Sequence, residues 1–119
     1  MTRRSQRIGE LIQEEVSDLL RRQVKDPRLG GFITVTKVDV SADLKQARVF
    51  VSIMGTDEEK RQAMQGFQAA LGFLRHELAA RLQLRFFPEL TFHRDDTIEE
   101  ASHVLQLIKE VSPTPQEQE

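Results

Sequence analysis

The residue types able to do acid–base, nucleophilic or metal chemistry are sparse in this chain. His76, His93 and His103 stand at separations that match no ligand motif, and no His-Glu-x-x-His run is present. The chain has no cysteine, which removes disulfides, thiolate nucleophiles and Cys-ligated zinc or iron–sulfur centres. Asp95, Asp96, Glu99 and Glu100 resemble paired catalytic carboxylates. They also open an apolar helical pattern, where the helix dipole favours negative charge, and that reading is the better one. A nucleophile elbow, a Walker loop and a dinucleotide glycine motif are all missing. The expectation is no catalysis, no metal, no cofactor and no small-molecule substrate. An enzyme using Asp95 or Asp96 is the weakest alternative.

Basic residues carry more. Arginine outnumbers lysine 12 to 5, which suits planar, bidentate contacts to phosphate. Arg3, Arg4 and Arg7 open the chain with no acid among them, and Arg21, Arg22, Lys25 and Arg28 cluster near the first helix end. Lys37, Lys45 and Arg48 lie on a hairpin, and Arg75, Arg81 and Arg85 on a later helical segment. The overall charge of −2 hides a gradient. Residues 1–94 carry 16 basic and 12 acidic side chains, whereas 95–119 carry one basic and seven acidic. A partner meets local potential, so a body of +4 is compatible with RNA. The rival readings are an ordinary solvated surface, or a protein-interaction module whose acidic helix over 97–111 docks a basic partner.

Elements must position these groups. Ile8, Leu11, Ile12, Val16, Leu19, Leu20 and Val24 recur at helical spacing and predict an amphipathic helix over 6–25, stopped by Asp26-Pro27. Gly30-Gly31 makes a link. Phe32–Val40 and Ala47–Met54 read as an antiparallel pair of strands, with a bulge near Thr36-Lys37 where the apolar alternation slips by one. On the second strand Ala47, Val49, Val51 and Ile53 share one face, and Arg48, Phe50, Ser52 and Met54 the other. The Val49-Phe50-Val51 run resembles the aromatic strand of an RNA recognition motif, but that fold needs four strands. Phe50 is expected to pack on the sheet, with stacking on a base as the alternative.

Thr56-Asp57-Glu58-Glu59 is a capping box. The stripe Met64, Phe67, Leu71, Leu74 and Leu78 that follows is too short for a coiled coil and reads as core packing. Gly66 and Gly72 weaken this stretch, so a break at Ala70-Leu71-Gly72 is expected to divide it into two helices. Glu89–Arg94 reads as a third strand. Thr97–Glu100 is a second capping box leading a helix with Ile98, Ala101, Val104, Leu105, Ile108 and Val111 inward. Residues 112–119 are expected to be a disordered acidic tail. At 119 residues the chain is one domain, and no apolar run is long enough for a membrane span or a signal peptide. A soluble, cytoplasmic monomer with the order α-β-β-α-α-β-α is the expectation.

That order, with small residues between the paired helices, resembles the type II KH arrangement, an α+β fold. Ordinary KH domains clamp a nucleic-acid backbone with a GxxG loop, which this chain lacks. In its place stands Ala70-Leu71-Gly72, and this is similar to the Ala-x-Gly kink of the ribosome-binding factor A family. Lys25-Asp-Pro-Arg-Leu29, Ser41-Ala-Asp-Leu44, Ala47-Arg-Val-Phe-Val-Ser52, Gly72-Phe-Leu-Arg75, Leu84-Arg85, Pro88-Glu-Leu-Thr-Phe92 and Asp95 agree in the same order. The resemblance covers residues 7 to about 108. It implies an assembly factor that binds the free small (30S) ribosomal subunit, supports 16S rRNA maturation near its 5′ end and serves growth in the cold, with no catalysis. With the clamp replaced, side chains are expected to supply the affinity. Arg75, Arg81 and Arg85 lie beside the kink, and Lys25, Arg28 and an Arg3-Arg4-Arg7 arm extend the track.

Overall fold

The computed structural model describes residues 2–22, 27–29 and 32–111, apart from the side chains of 27, 98, 99, 102, 110 and 111. Lys25, the Gly30-Gly31 link and the tail from 112 onward lie outside the described residues.

Helix α1 spans Arg3–Arg22 and starts earlier than the apolar pattern implies. The Ser5 N–H donates to Thr2 Oγ1 at 3.0 Å and the Thr2 N–H to Ser5 Oγ at 3.1 Å, a reciprocal cap of the free helix-end donors. Arg3, Arg4 and Arg7 are therefore helical, not an arm. Ile8, Ile12, Val16 and Leu19 form the buried stripe of α1, and a short 3-10 turn follows at Pro27–Leu29.

Strands β1 (Ile33–Val40) and β2 (Gln46–Ile53) pair antiparallel, and β3 (Glu89–Arg94) lies parallel to β2 on its other side. The register slips between Val35 and Lys37, so the bulge sits at Thr36 as the alternation foretold. The slip keeps both Val35 and Val40 buried. From β2, Ala47, Val49, Val51 and Ile53 are buried, and from β3, Leu90 and Phe92.

Helix α2 runs uninterrupted over Asp57–Leu82, with the Thr56–Glu59 capping box complete in both directions. The expected division at Ala70-Leu71-Gly72 does not occur, and the order is α-β-β-α-β-α. The physical reason lies in packing. Phe67 on one side of Gly72 and Leu74 and Leu78 on the other are fully buried against the same core, and Phe67 stacks on Phe92 with centroids 4.6 Å apart. Burying each such side chain is worth about 1.5–3 kcal/mol, more than the roughly 1 kcal/mol a glycine costs.

Helix α3 spans Thr97–Val111, and the expectation of an inward apolar face fails. Val104, Leu105, Leu107 and Ile108 are exposed, as is Ala101; the side chains of Ile98 and Val111 are not among those described. The helix also begins at Thr97 itself, one position earlier than the proposed capping box requires. The class is nonetheless a single α+β domain, in which α1 and α2 cover one face of a three-stranded sheet.

Two glycines give opposite expectations. A Cβ on Gly9 would lie 2.8 Å from the Val38 carbonyl oxygen, whereas one on Gly72 would meet nothing within 4 Å. Gly9→Ala thus forces α1 off β1 and loses about 1–3 kcal/mol. Gly72→Ala gains about 1 kcal/mol of unfolding free energy in the isolated protein. Urea unfolding of the two variants checks both signs.

Candidate nucleic-acid interface

The N-terminal turns of α1 meet two connections, the β1–β2 loop and the α2–β3 segment. Between them lies a cleft of about 430 Å³ walled by Arg4 and Ile8, by Asp43, Leu44 and Lys45, and by Leu84 through Pro88. Arg4, Lys45 and Arg85 are all exposed there. Each comes from a different element, and each was a sequence candidate in a different cluster.

Local chemistry fixes the walls. In the β1–β2 loop the Leu44 N–H donates to the Ser41 carbonyl at 2.9 Å, and the Asp43 carboxylate accepts from Ser41 Oγ at 2.6 Å and the Lys45 N–H at 3.0 Å. The Ser41 hydroxyl, and then the Lys45 N–H, hold Asp43 below the usual carboxylate range. Leu44 is left-handed at φ 62°, a conformation that costs a non-glycine residue about 1–2 kcal/mol, and its half-buried side chain packs against the core. The Glu89 N–H then donates to the Lys45 carbonyl at 2.9 Å, tying the loop to β3. On the other wall, Gln83 takes the left-handed C-cap of α2 with its N–H on the Ala79 carbonyl. This turns the chain, and buried Pro88 follows.

Phe86 escaped the sequence reading. It is 78 % exposed, with the Arg85 guanidinium carbon 5.6 Å from its ring centroid. The signal was the Phe86-Phe87-Pro88 run, because two consecutive large apolar residues entering an extended segment face opposite ways. The electrostatics of the cleft run against helix stability. Arg3 and Arg4 occupy the first turn of α1, where the dipole is already positive and no acid offsets it. A charge arrangement that weakens its own helix attracts an anion to that helix end.

The other candidates fall elsewhere. Arg81 is engaged: its Nη1 donates to Glu15 Oε2 and Asp18 Oδ2, both at 2.9 Å, joining α2 to α1. It holds Asp18 below the ordinary carboxylate range, with Arg22 and Arg21 adding to the effect. Arg75 is exposed on α2, and Ala70-Leu71-Gly72 lies one turn before it. Arg28 stands beside α2, with its Cβ 3.2 Å from the point where a Gly66 Cβ would sit. Lys37 and Arg48 belong to the sheet face turned away from α1 and α2, where Lys37 Nζ lies 4.7 Å from the Phe50 centroid and the Arg48 guanidinium carbon 5.7 Å.

Within the acidic cluster, Asp95 does helix-end work. Asp95 accepts the Thr97 N–H at 3.0 Å and the Thr36 hydroxyl at 2.7 Å, joining the start of α3 to the β1 bulge. Hydrogen bonds from Thr97 and then Thr36 lower its carboxyl to about 2. Among the described residues, no group of three or more His, Asp or Glu side chains is placed to hold a metal, and no helix is long and apolar enough to cross a membrane.

The family model for ribosome-binding factor A matches residues 4–108. A ribosome-binding factor A from Dictyoglomus thermophilum is 45% identical over 111 residues, covering 93% of this chain and 92% of its own length. A Thermotoga maritima solution structure is 35% identical with a TM-score of 0.70, covering 82% of this chain and 92% of that one. A ribosome binding factor A from Thermus thermophilus, a homology model fitted into the cryo-EM map of a 30S complex, is 26% identical. Its TM-score is 0.58, over 81% of this chain and 96% of that one.

Two outcomes follow for the groups that hold the frame. Arg81→Gln leaves Glu15 and Asp18 facing each other and lowers the thermal midpoint, read by circular dichroism. For Asp95, the folded carboxyl lies below its usual 3.8, so its stabilising contribution is present above about pH 4 and is lost as pH falls toward 2. Asp95→Asn removes that share of the acid sensitivity. Thermal midpoints of the variant and the parent converge as pH falls from 4 to 2.

Proposed function

The chain belongs to the ribosome-binding factor A family, and from that premise we propose that it binds the small ribosomal subunit through ribosomal RNA. The observation that carries this reading is the convergence of Arg4, Lys45 and Arg85 on the positive end of α1. Three cations from three elements, with an exposed aromatic beside them, suit a phosphate backbone with an unpaired base. Arg3 and Arg7 extend the surface along α1, and Arg75 along α2. Arg81 positions the helices and contributes no contact.

Selective binding is the mechanism. A protein without catalytic groups changes RNA structure by holding one conformation more tightly than others. The proposal takes in free small subunits in preference to whole ribosomes, maturation of 16S rRNA near its 5′ end, and a role in cold growth, when RNA helices rearrange slowly. These finer statements rest on family membership. The binding unit is residues 1–111, acting as a monomer in the cytoplasm.

Affinity for single-stranded ribosomal RNA fragments is expected to fall with salt at a slope of about 0.7 per phosphate contact. Arg4→Glu, Lys45→Glu and Arg85→Glu together flatten that slope by about 2 and weaken binding to small subunits in gradient co-sedimentation. All three positions are exposed, so the fold persists. A triple variant that sediments with small subunits like the parent would overturn the assignment.

A further inference from the structure

The sheet face turned away from α1 and α2 carries an ordered row. Lys37, Phe50 and His93 are successive cross-strand partners over the three strands. The Phe50 and His93 rings lie 5.3 Å apart at 31°. Arg48, two residues before Phe50 on the same face, directs its guanidinium to the same ring. His93 is exposed, Phe50 is half-buried, and no described side chain of α3 is buried against them. The expected packing of Phe50 on the sheet is therefore only half the account: its ring stays partly exposed, with the Lys37 and Arg48 cations over it and the His93 ring tilted beside it.

We propose that this row is a second RNA subsite, in which an unpaired base stacks on Phe50 and His93 while Lys37 and Arg48 meet its flanking phosphates. The inference deepens the RNA-binding reading above and depends on it. Aromatic side chains accept any base by stacking, and cations beside them follow the backbone. Lys37 and Arg48 both approach Asp39, at 3.6 and 3.4 Å, but their side chains are 58% and 57% exposed. Ion pairs that open to water bind weakly and exchange readily for phosphate. A second copy of the chain suits this face poorly, because Lys37 and Arg48 would face like charges across it. An apolar protein partner suits it no better, because the ring pair is bordered by Asp39, Thr91 and the two cations rather than by a continuous apolar patch.

The test compares a short oligoadenylate strand with the same strand made abasic, for the parent, Phe50→Leu, His93→Ser and the Arg4/Lys45/Arg85→Glu triple variant. Leucine retains apolar volume at Phe50, and His93 is exposed, so the second variant reports even if the first fails to fold. The parent is expected to bind the intact strand about tenfold more tightly than the abasic one. Phe50→Leu is expected to lose that discrimination while keeping the parent's salt slope, and His93→Ser to lose part of it. The triple variant binds both strands more weakly yet keeps the ratio, which separates this subsite from the cleft. Full discrimination in both Phe50→Leu and His93→Ser would overturn the proposal. So would discrimination lost only in the triple variant, which places the stacking at the cleft, or a parent that does not distinguish the strands. Concentration-dependent dimerisation abolished by Phe50→Leu would overturn it in favour of a second copy.

Discussion

Phe67 stacked on Phe92, with Val49, Val51 and Leu90 buried around them, is the contact on which the architecture turns. It joins the middle of α2 to β3, the strand that returns parallel to β2. A parallel pair needs a long crossover, and the 26 residues of α2 supply it. Once α2 is spent on this crossover and α1 lies beside it, both long helices occupy one side of the sheet. The remaining helix, α3, leaves its described apolar side chains in solvent. Among the described residues, a sheet with only one face covered by helices is the consequence, and both candidate surfaces follow from it.

The cleft arises at the end of that layer. Parallel β2 and β3 begin at the same edge, so the loop before β2 and the segment before β3 are neighbours, joined by the bond from the Glu89 N–H to the Lys45 carbonyl. The N-terminus of α1 arrives at the same edge. Two left-handed residues, Leu44 and Gln83, shape the two connections there. Backbone strain and a first helical turn carrying arginines both cost stability, and such conflicts concentrate where a protein meets its partner. By contrast, Arg81, with two carboxylates in reach, serves the frame.

Strands were legible because their side chains alternate over a half-covered sheet: the slip at Thr36 and the span Glu89–Arg94 follow directly from residue order. Helix limits were less so. The early start of α1 depends on the reciprocal Thr2–Ser5 cap, which the basic first turn masks. Continuity of α2 through Gly72 depends on tertiary burial of Phe67, Leu74 and Leu78, which outweighs local propensity. Apolar spacing in α3 marked a helix but said nothing of whether that helix packs its apolar side chains against the sheet. Each cleft cation was visible as a residue, whereas their meeting was not, because it is set by strand order rather than by spacing along the chain.

The central claim is that RNA meets the edge where α1, the β1–β2 loop and the α2–β3 segment converge. Backbone amide shifts of the full chain, followed by NMR as a single-stranded ribosomal RNA fragment is added, test it most directly. The account predicts the largest changes at Arg4, Lys45, Arg85 and Phe86, reversed by salt. Changes confined to α3, with that edge undisturbed, would contradict it.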